Sequence, residues 1–103
     1  MDLEALRDEV EEARERAMER WARLAGGSLC RLDGPDQRRL AAKEAEGATQ
    51  ALSLARRLLR ADGATAEILE RTRKEWLTTP AGHGPDADAY RAGGLEALDR
   101  LTR

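Results

Sequence analysis

The single histidine of the chain lies in a segment whose residues could contribute to a metal site. His83 stands in the run Gly-His-Gly-Pro-Asp, and the carboxylates of Asp86 and Asp88 are close to it in sequence. A zinc site needs three or four ligands, usually including thiolates or several imidazoles. One histidine, one cysteine and nearby acids do not supply that set. We therefore interpret His83 as a polar residue of a flexible loop and Asp86 as a residue at a helix start, and we predict no metal and no cofactor.

Cys30, the single cysteine, could act as a nucleophile if the fold placed His83 beside it. A reactive thiol needs an electropositive and partly exposed setting, and the adjacent Arg31 alone does not provide one. Leu29 and Leu32 flank the cysteine, which favours a small buried apolar side chain tucked under the neighbouring helices. A single cysteine also excludes a disulfide within the chain and fits a reducing compartment. We predict no catalytic residue in this chain.

Glu44 is the polar residue with the most unusual position. On a helical wheel it falls among apolar residues of its own helix, and these are Leu40, Ala41, Ala48, Ala51 and Ala55. A carboxylate in such surroundings must accept a hydrogen bond, pair with a cation or take up a proton. Two interpretations follow. Glu44 receives an arginine of a partner at a binding groove, or it forms a salt bridge with an arginine of the first or the last helix of its own chain.

Four arginines of the same helix raise the question of a nucleic-acid surface. Arg38 shares an azimuth with Arg56, and Arg39 shares one with Arg57. The two members of each pair stand about 27 Å apart along the helix at 1.5 Å per residue. The residues between them on that face are Glu46, Gln50 and Ser53. Phosphate binding favours clustered cations without interleaved acids, so the pattern indicates a mixed solvated face and argues against nucleic acid as a partner.

The helix that carries these residues has an inward face built mostly from alanine. Spacings of four and three define this face, and its residues are Ala41, Ala45, Ala48, Leu52, Ala55 and Leu59. Small residues let a neighbouring helix approach closely, but each buries little apolar area. We expect other helices to enclose this face, from the same chain or from a second copy. Gly93-Gly94, in the middle of the last helix, likewise indicates either a closely crossing helix or a kink.

The sequence predicts an all-α fold, a small helical bundle in a single domain over residues 1–103. The predicted helices cover about 2–25, 35–61, 64–77 and 86–101. The first two form a long antiparallel hairpin, and the two shorter helices pack across it. Gly26-Gly27 is expected to end the first helix in a left-handed conformation. Pro35 suits the first turn of the second helix, with Asp33 or Gly34 near its cap.

The first helix is charged asymmetrically along its length. Acids crowd its start and arginines crowd its end, a gradient that complements the helix dipole. Glu12 stands four residues before Arg16, and Glu19 stands four residues before Arg23. This spacing favours ion pairs on the surface of a helix, so we expect both pairs to form.

Composition limits both the core and the partners. The 103 residues include no phenylalanine, one tyrosine and two tryptophans, so the core is thin, which favours self-association. A formal net charge of −2 with 37% charged residues is not the profile of a basic nucleic-acid binder. The acidic N-terminus lacks the apolar run of a signal peptide, and no stretch approaches the roughly 20 apolar residues that span a bilayer. We expect a soluble, cytoplasmic protein that does not bind membranes.

These observations predict a non-enzymatic protein–protein interaction module: a small adaptor, a regulatory subunit or an inhibitor of a larger protein. The expected partner is another protein, a second copy in a homodimer, or both. The residues expected at the partner surface are Trp76, Leu54, Leu58, Tyr90 and Glu44. Tryptophan is enriched at interface hot spots, and Leu54 beside Leu58 could form an apolar patch. Two alternatives stay open, a dimeric DNA-binding regulator and a small enzyme subunit that uses Glu44, His83 or Cys30.

Overall fold

The computed structural model describes residues 2–26, 35–61, 64 and 67–101. These residues form four helices and no strand, and the helices are α1 (Leu3–Ala25), α2 (Pro35–Arg60), α3 (Ile68–Thr78) and α4 (Pro85–Arg100). The predicted all-α class and the four-helix order are confirmed. The expected cap at Asp33 or Gly34 and the expected packing of Leu29, Cys30 and Leu32 lie outside the described residues.

Two helix ends differ from the sequence-based expectation. α3 begins at Ile68 and not near residue 64. The amide of Ala64 donates to the carbonyl of Ala61 at 3.3 Å in this turn, although the alanine-rich sequence there resembles a helix. α1 ends where predicted, but Gly26 keeps a right-handed conformation with φ of −71°. The left-handed conformation expected of the pair Gly26-Gly27 is thus not at Gly26, and Gly27, the residue after the cap, lies outside the described residues.

α1 and α2 form the predicted antiparallel hairpin. The guanidinium of Arg7 donates from Nε and Nη2 to the carbonyl oxygen of Leu59, at 3.0 and 2.8 Å. Arg14 Nε donates to Ser53 Oγ at 2.9 Å. The buried residues of α1 are Leu6 and Val10. Because both belong to its N-terminal half, the C-terminal half of α1 is less enclosed.

α4 packs on α2, and glycines bring the two backbones into contact. Gly47 of α2 faces the carbonyl of Tyr90, and Gly93 of α4 faces the backbone of Glu44. A Cβ atom at either glycine would collide with those backbone atoms. α4 continues as one helix through this crossing. Of the two expectations for Gly93-Gly94, the closely crossing helix is therefore confirmed.

Trp76 holds α3 against α4. Its indole packs where Gly94 has no side chain, and only 3% of the residue is exposed. The indole Nε1 donates to the carbonyl of Arg91 at 3.0 Å. The ring centroid lies 5.2 Å from that of Tyr90, with the two planes tilted by 41°. A buried aromatic side chain thus fixes the short helix α3.

The alanine face of α2 is enclosed along most of its length. Its buried residues are Ala45, Leu52, Ala55 and Leu59, while Ala41 and Ala48 are half-buried. The core cluster joins residues of all four helices, so helices of the same chain provide the expected enclosure. Among the described residues, none of the helices has the length and apolar character needed to cross a bilayer.

Tyr90 has a perturbed pKa in this packing. Burial raises the pKa of Tyr90 above its ordinary value of 10.0, the charge of Glu46 raises it further, and Lys43 lowers it in part. Burial acts in this direction because it disfavours the charged phenolate. The pKa of Tyr90 is higher in the folded chain than in the unfolded chain. The neutral phenol therefore contributes its full stabilisation at pH values below the pKa of the unfolded chain. It is lost as pH rises through the folded pKa.

We expect Gly93→Ala to lower the free energy of unfolding by about 3 kcal/mol, because the added Cβ meets backbone that cannot rotate away. Helix propensity alone predicts the opposite, a gain of about 1 kcal/mol. Urea unfolding followed by circular dichroism distinguishes the two. Ala92→Gly, at the exposed neighbouring position, is the control and should lose about 1 kcal/mol. A stabilised Gly93→Ala variant would contradict the backbone contact between α2 and α4.

We expect the free energy of unfolding of the wild type to fall as pH rises beyond about 10. In Tyr90→Phe it should fall less steeply over the same range, because the variant has no phenol to ionise. Urea unfolding at a series of alkaline pH values measures both slopes. Equal slopes in the two proteins would show that ionisation of Tyr90 does not oppose folding.

Candidate functional site

The residues that first suggested metal or nucleophilic chemistry are not brought together. His83 is exposed between α3 and α4, where Gly82 and Gly84 have positive φ values of 84° and 101°. The carboxylate of Asp86 forms an ion pair with a side chain of α2 at 3.1 Å. In the part of the chain that the structure describes, no group of three His, Cys, Asp or Glu side chains is placed to hold a metal ion. Cys30 lies outside that part.

Four of the five residues expected at a partner surface pack within their own chain. Trp76 is 3% exposed and Leu58 is 7% exposed. Leu54 and Tyr90 are partly buried and pack against the core cluster. Their participation in partner binding stays a prediction. Glu44, the fifth residue, lines a groove on the surface.

This groove lies between α1 and α4, which each pack on α2 with little contact between them. We call it the α1/α4 groove, and its volume is about 720 Å³. Mostly small residues of three helices form its apolar lining, and these are Ala13, Ala17, Ala45, Ala48, Leu52, Gly93, Ala97 and Leu101. Because alanine and glycine have short side chains or none, the lining leaves room for side chains from outside.

Charged residues of α1 line one side of the groove: the glutamates Glu9 and Glu19, and the arginines Arg16, Arg20 and Arg23. All three arginines are exposed. Among the described residues, none of them lies within ion-pair distance of a carboxylate. The expected pairs of Glu12 with Arg16 and of Glu19 with Arg23 are therefore not formed. This side of the groove keeps three guanidinium groups available to an outside carboxylate.

Glu44 lies half-buried in the lining of the groove. No lysine or arginine within the described ranges is close enough to form an ion pair with it. The salt bridge considered from the sequence is thus not formed there. Arg100, across the groove on α4, pairs with Glu96 at 2.6 Å instead. Glu44 therefore lines the groove without an ion pair to a described lysine or arginine.

An apolar lining with charged residues along its sides is the arrangement that takes an amphipathic helix. The apolar face of such a helix covers the lining, and its charged edges meet the charges at the sides. Sequence reasoning found Glu44 but not the groove alanines of α1 and α4, Ala13, Ala17 and Ala97. The helical spacing of Ala13 and Ala17 is that of ordinary core positions, and Ala97 falls outside the apolar stripe of the last helix. The signal that could have found Ala13 and Ala17 is the pair Arg16 and Arg20, which lie one turn apart beside them on α1.

Compared with protein-family models, with curated proteins and with solved structures, the chain matches none of them. The geometry of the α1/α4 groove therefore carries the functional argument.

Proposed function

We propose that the chain is a non-enzymatic protein-interaction module that docks an amphipathic helix of a partner in the α1/α4 groove. The observation that carries the proposal is a groove of about 720 Å³ with a floor of small apolar residues and with three exposed arginines beside Glu9 and Glu19 along one side. Those arginines have no carboxylate partner among the described residues. The proposal includes a cytoplasmic setting, where the single Cys30 would stay reduced.

Charge complementarity defines the chemistry of the docked helix. The edge that lies against α1 carries carboxylates at helical spacing, because Arg16, Arg20 and Arg23 stand at spacings of four and three. The face toward Glu44 carries one lysine or arginine, because a half-buried carboxylate is stabilised by a cation nearby. The remaining inward residues are alanine and leucine, which fit the apolar lining.

The residues expected at the partner surface take a supporting role in this proposal. Trp76 and Tyr90 fix α4 in place, and α4 forms one side of the groove. Leu58 belongs to the core cluster and Leu54 packs against it, and neither residue lines the groove. Nucleic acid is the less favoured partner, because Arg39 and Arg56, two of the arginines considered for it, form ion pairs with carboxylates of the chain.

A synthetic peptide tests the docking directly. The probe is a helical peptide of about 20 residues with glutamates along one edge, alanine and leucine on the inward face and one lysine opposite Glu44. Titrated into dilute labelled protein, it should shift the amide resonances of Ala13, Ala48 and Ala97. A matched peptide with lysines in place of the glutamates should bind at least about 10-fold more weakly, a loss of about 1.4 kcal/mol.

Two tryptophan substitutions show whether the groove is the binding site. Ala48→Trp places a bulky side chain in the lining and should weaken peptide binding by about 10-fold or more, which corresponds to about 1.4 kcal/mol. Ala92→Trp adds the same side chain at an exposed position that does not line the groove and should leave binding unchanged. Equal affinity in the two variants would contradict the proposal.

A further inference from the structure

We infer that the α1/α4 groove holds the C-terminal helix of its partner, which runs parallel to α1 and places its free carboxylate beside Arg20 and Arg23. This inference rests on the proposed function, because it assigns a direction to the helix that is docked in the same groove. It is carried by the different charges that line the two ends of the groove.

The path of α1 defines the length of the groove. α1 runs antiparallel to α2, because Arg7 and Arg14 in turn bond to residues of α2 that lie progressively nearer its start. Continued at the same spacing, this pairing brings Arg23 level with Glu44, which lies in the groove lining. From Glu9 to Arg23 the α1 side extends over about 21 Å, the length of a helix of about 14 residues. We call the two ends of the groove the Glu9 end and the Arg23 end.

α4 runs in the opposite direction to α1. Asp86, in the first turn of α4, pairs with Arg39 of α2, and Gly93, in the middle of α4, faces Glu44. α4 is therefore parallel to α2. Its last turn, which also lines the groove, lies at the Glu9 end.

The charges that line the α1 side change sign along the groove. The N-terminal half of α1 contributes the negative charge of Glu9 to the lining. The C-terminal half contributes three positive charges and one negative charge, those of Arg16, Arg20, Arg23 and Glu19. The α1 side is therefore acidic at the Glu9 end and basic at the Arg23 end.

A docked helix has opposite charges at its own two ends. Its N-terminus carries about half a positive unit charge and its C-terminus about half a negative one, and a free chain end adds a full negative charge at the C-terminus. The C-terminus is therefore favoured at the Arg23 end and the N-terminus at the Glu9 end. The last turn of α4 favours the same direction, because its free carbonyls face a helix N-terminus at the Glu9 end.

Two features oppose this direction, and both are weaker than the arginines. The C-terminus of α1 lies near the Arg23 end, but it contributes only about half a negative unit charge. Glu44 lies at that end without an ion pair to any described lysine or arginine, but it is one carboxylate, which the lysine of the docked helix neutralises. On α4, Glu96 pairs with Arg100 at 2.6 Å, so this pair adds no net charge.

A nitroxide attached to the acidic-edge peptide measures the direction. The peptide carries the label near its N-terminus or near its C-terminus and is added to the full-length labelled protein. The C-terminal label should reduce the intensity of the amide resonances of Glu44 and Gly93. The N-terminal label should reduce those of Ala13 and Leu101. The reverse pattern, or equal losses from both labels, overturns the inference and keeps the docking groove, whereas a peptide that does not bind overturns the proposed function as well.

A C-terminal amide tests the free carboxylate. Amidation of the same peptide should weaken binding by about 2- to 5-fold, the range expected of one exposed ion pair. In a variant that combines R20Q and R23Q, the difference between the acid and the amide should disappear. This comparison removes any effect of amidation on the helicity of the free peptide, because that effect is the same for both proteins.

The control is R57Q, which removes an exposed arginine of α2 that does not line the groove. It should keep the full difference between the acid and the amide, and circular dichroism confirms that the helices of each variant remain. Equal binding of the acid and the amide by the wild type, or a difference that persists without Arg20 and Arg23, overturns the inference. Binding of both peptides at the groove would then still support the docking of an internal helix of the partner.

Discussion

Direct contact between the backbones of α2 and α4 is the constraint on which the rest of the structure depends. It exists because Gly47 and Gly93 have no Cβ at the crossing. With α4 held there, the neighbouring Gly94 gives Trp76 the space that brings α3 into the bundle. α1 packs on α2 with little contact to α4. Because α1 and α4 cover different parts of the surface of α2, a space remains between them, and this space is the α1/α4 groove.

Most of the fold can be predicted from the sequence, because α1 and α2 carry long uninterrupted helical patterns. Their bounds differ from the prediction by only a residue or so. The start of α3 is a different case. Alanine has the highest intrinsic helix propensity, so the sequence favours a helix from Ala64, whereas α3 begins four residues later at Ile68. Gly26 is a second position at which the residue type does not determine the backbone conformation, because a glycine permits a left-handed conformation without requiring one.

The candidate site is less predictable than the fold. Glu44 among alanines indicates a groove or a salt bridge, and the structure places it in the groove lining. Trp76 and Tyr90, selected because aromatic residues are frequent at interfaces, instead pack in the chain, since a core without phenylalanine has few large residues to use. Helical spacing alone also suggests that Glu12 pairs with Arg16, whereas the geometry leaves both side chains without that bond. Such pairs depend on side-chain conformation, which spacing does not determine.

The bond between Arg7 and Leu59 joins two helix ends that lie 52 residues apart in the sequence. The carbonyl of Leu59 is among the last four of α2, which have no amide donor within the helix, and the guanidinium of Arg7 satisfies it twice. The beginning of α1 and the end of α2 therefore belong to one cooperative unit of local unfolding. When the first turns of the chain fray, the carbonyl of Leu59 loses both of its guanidinium donors.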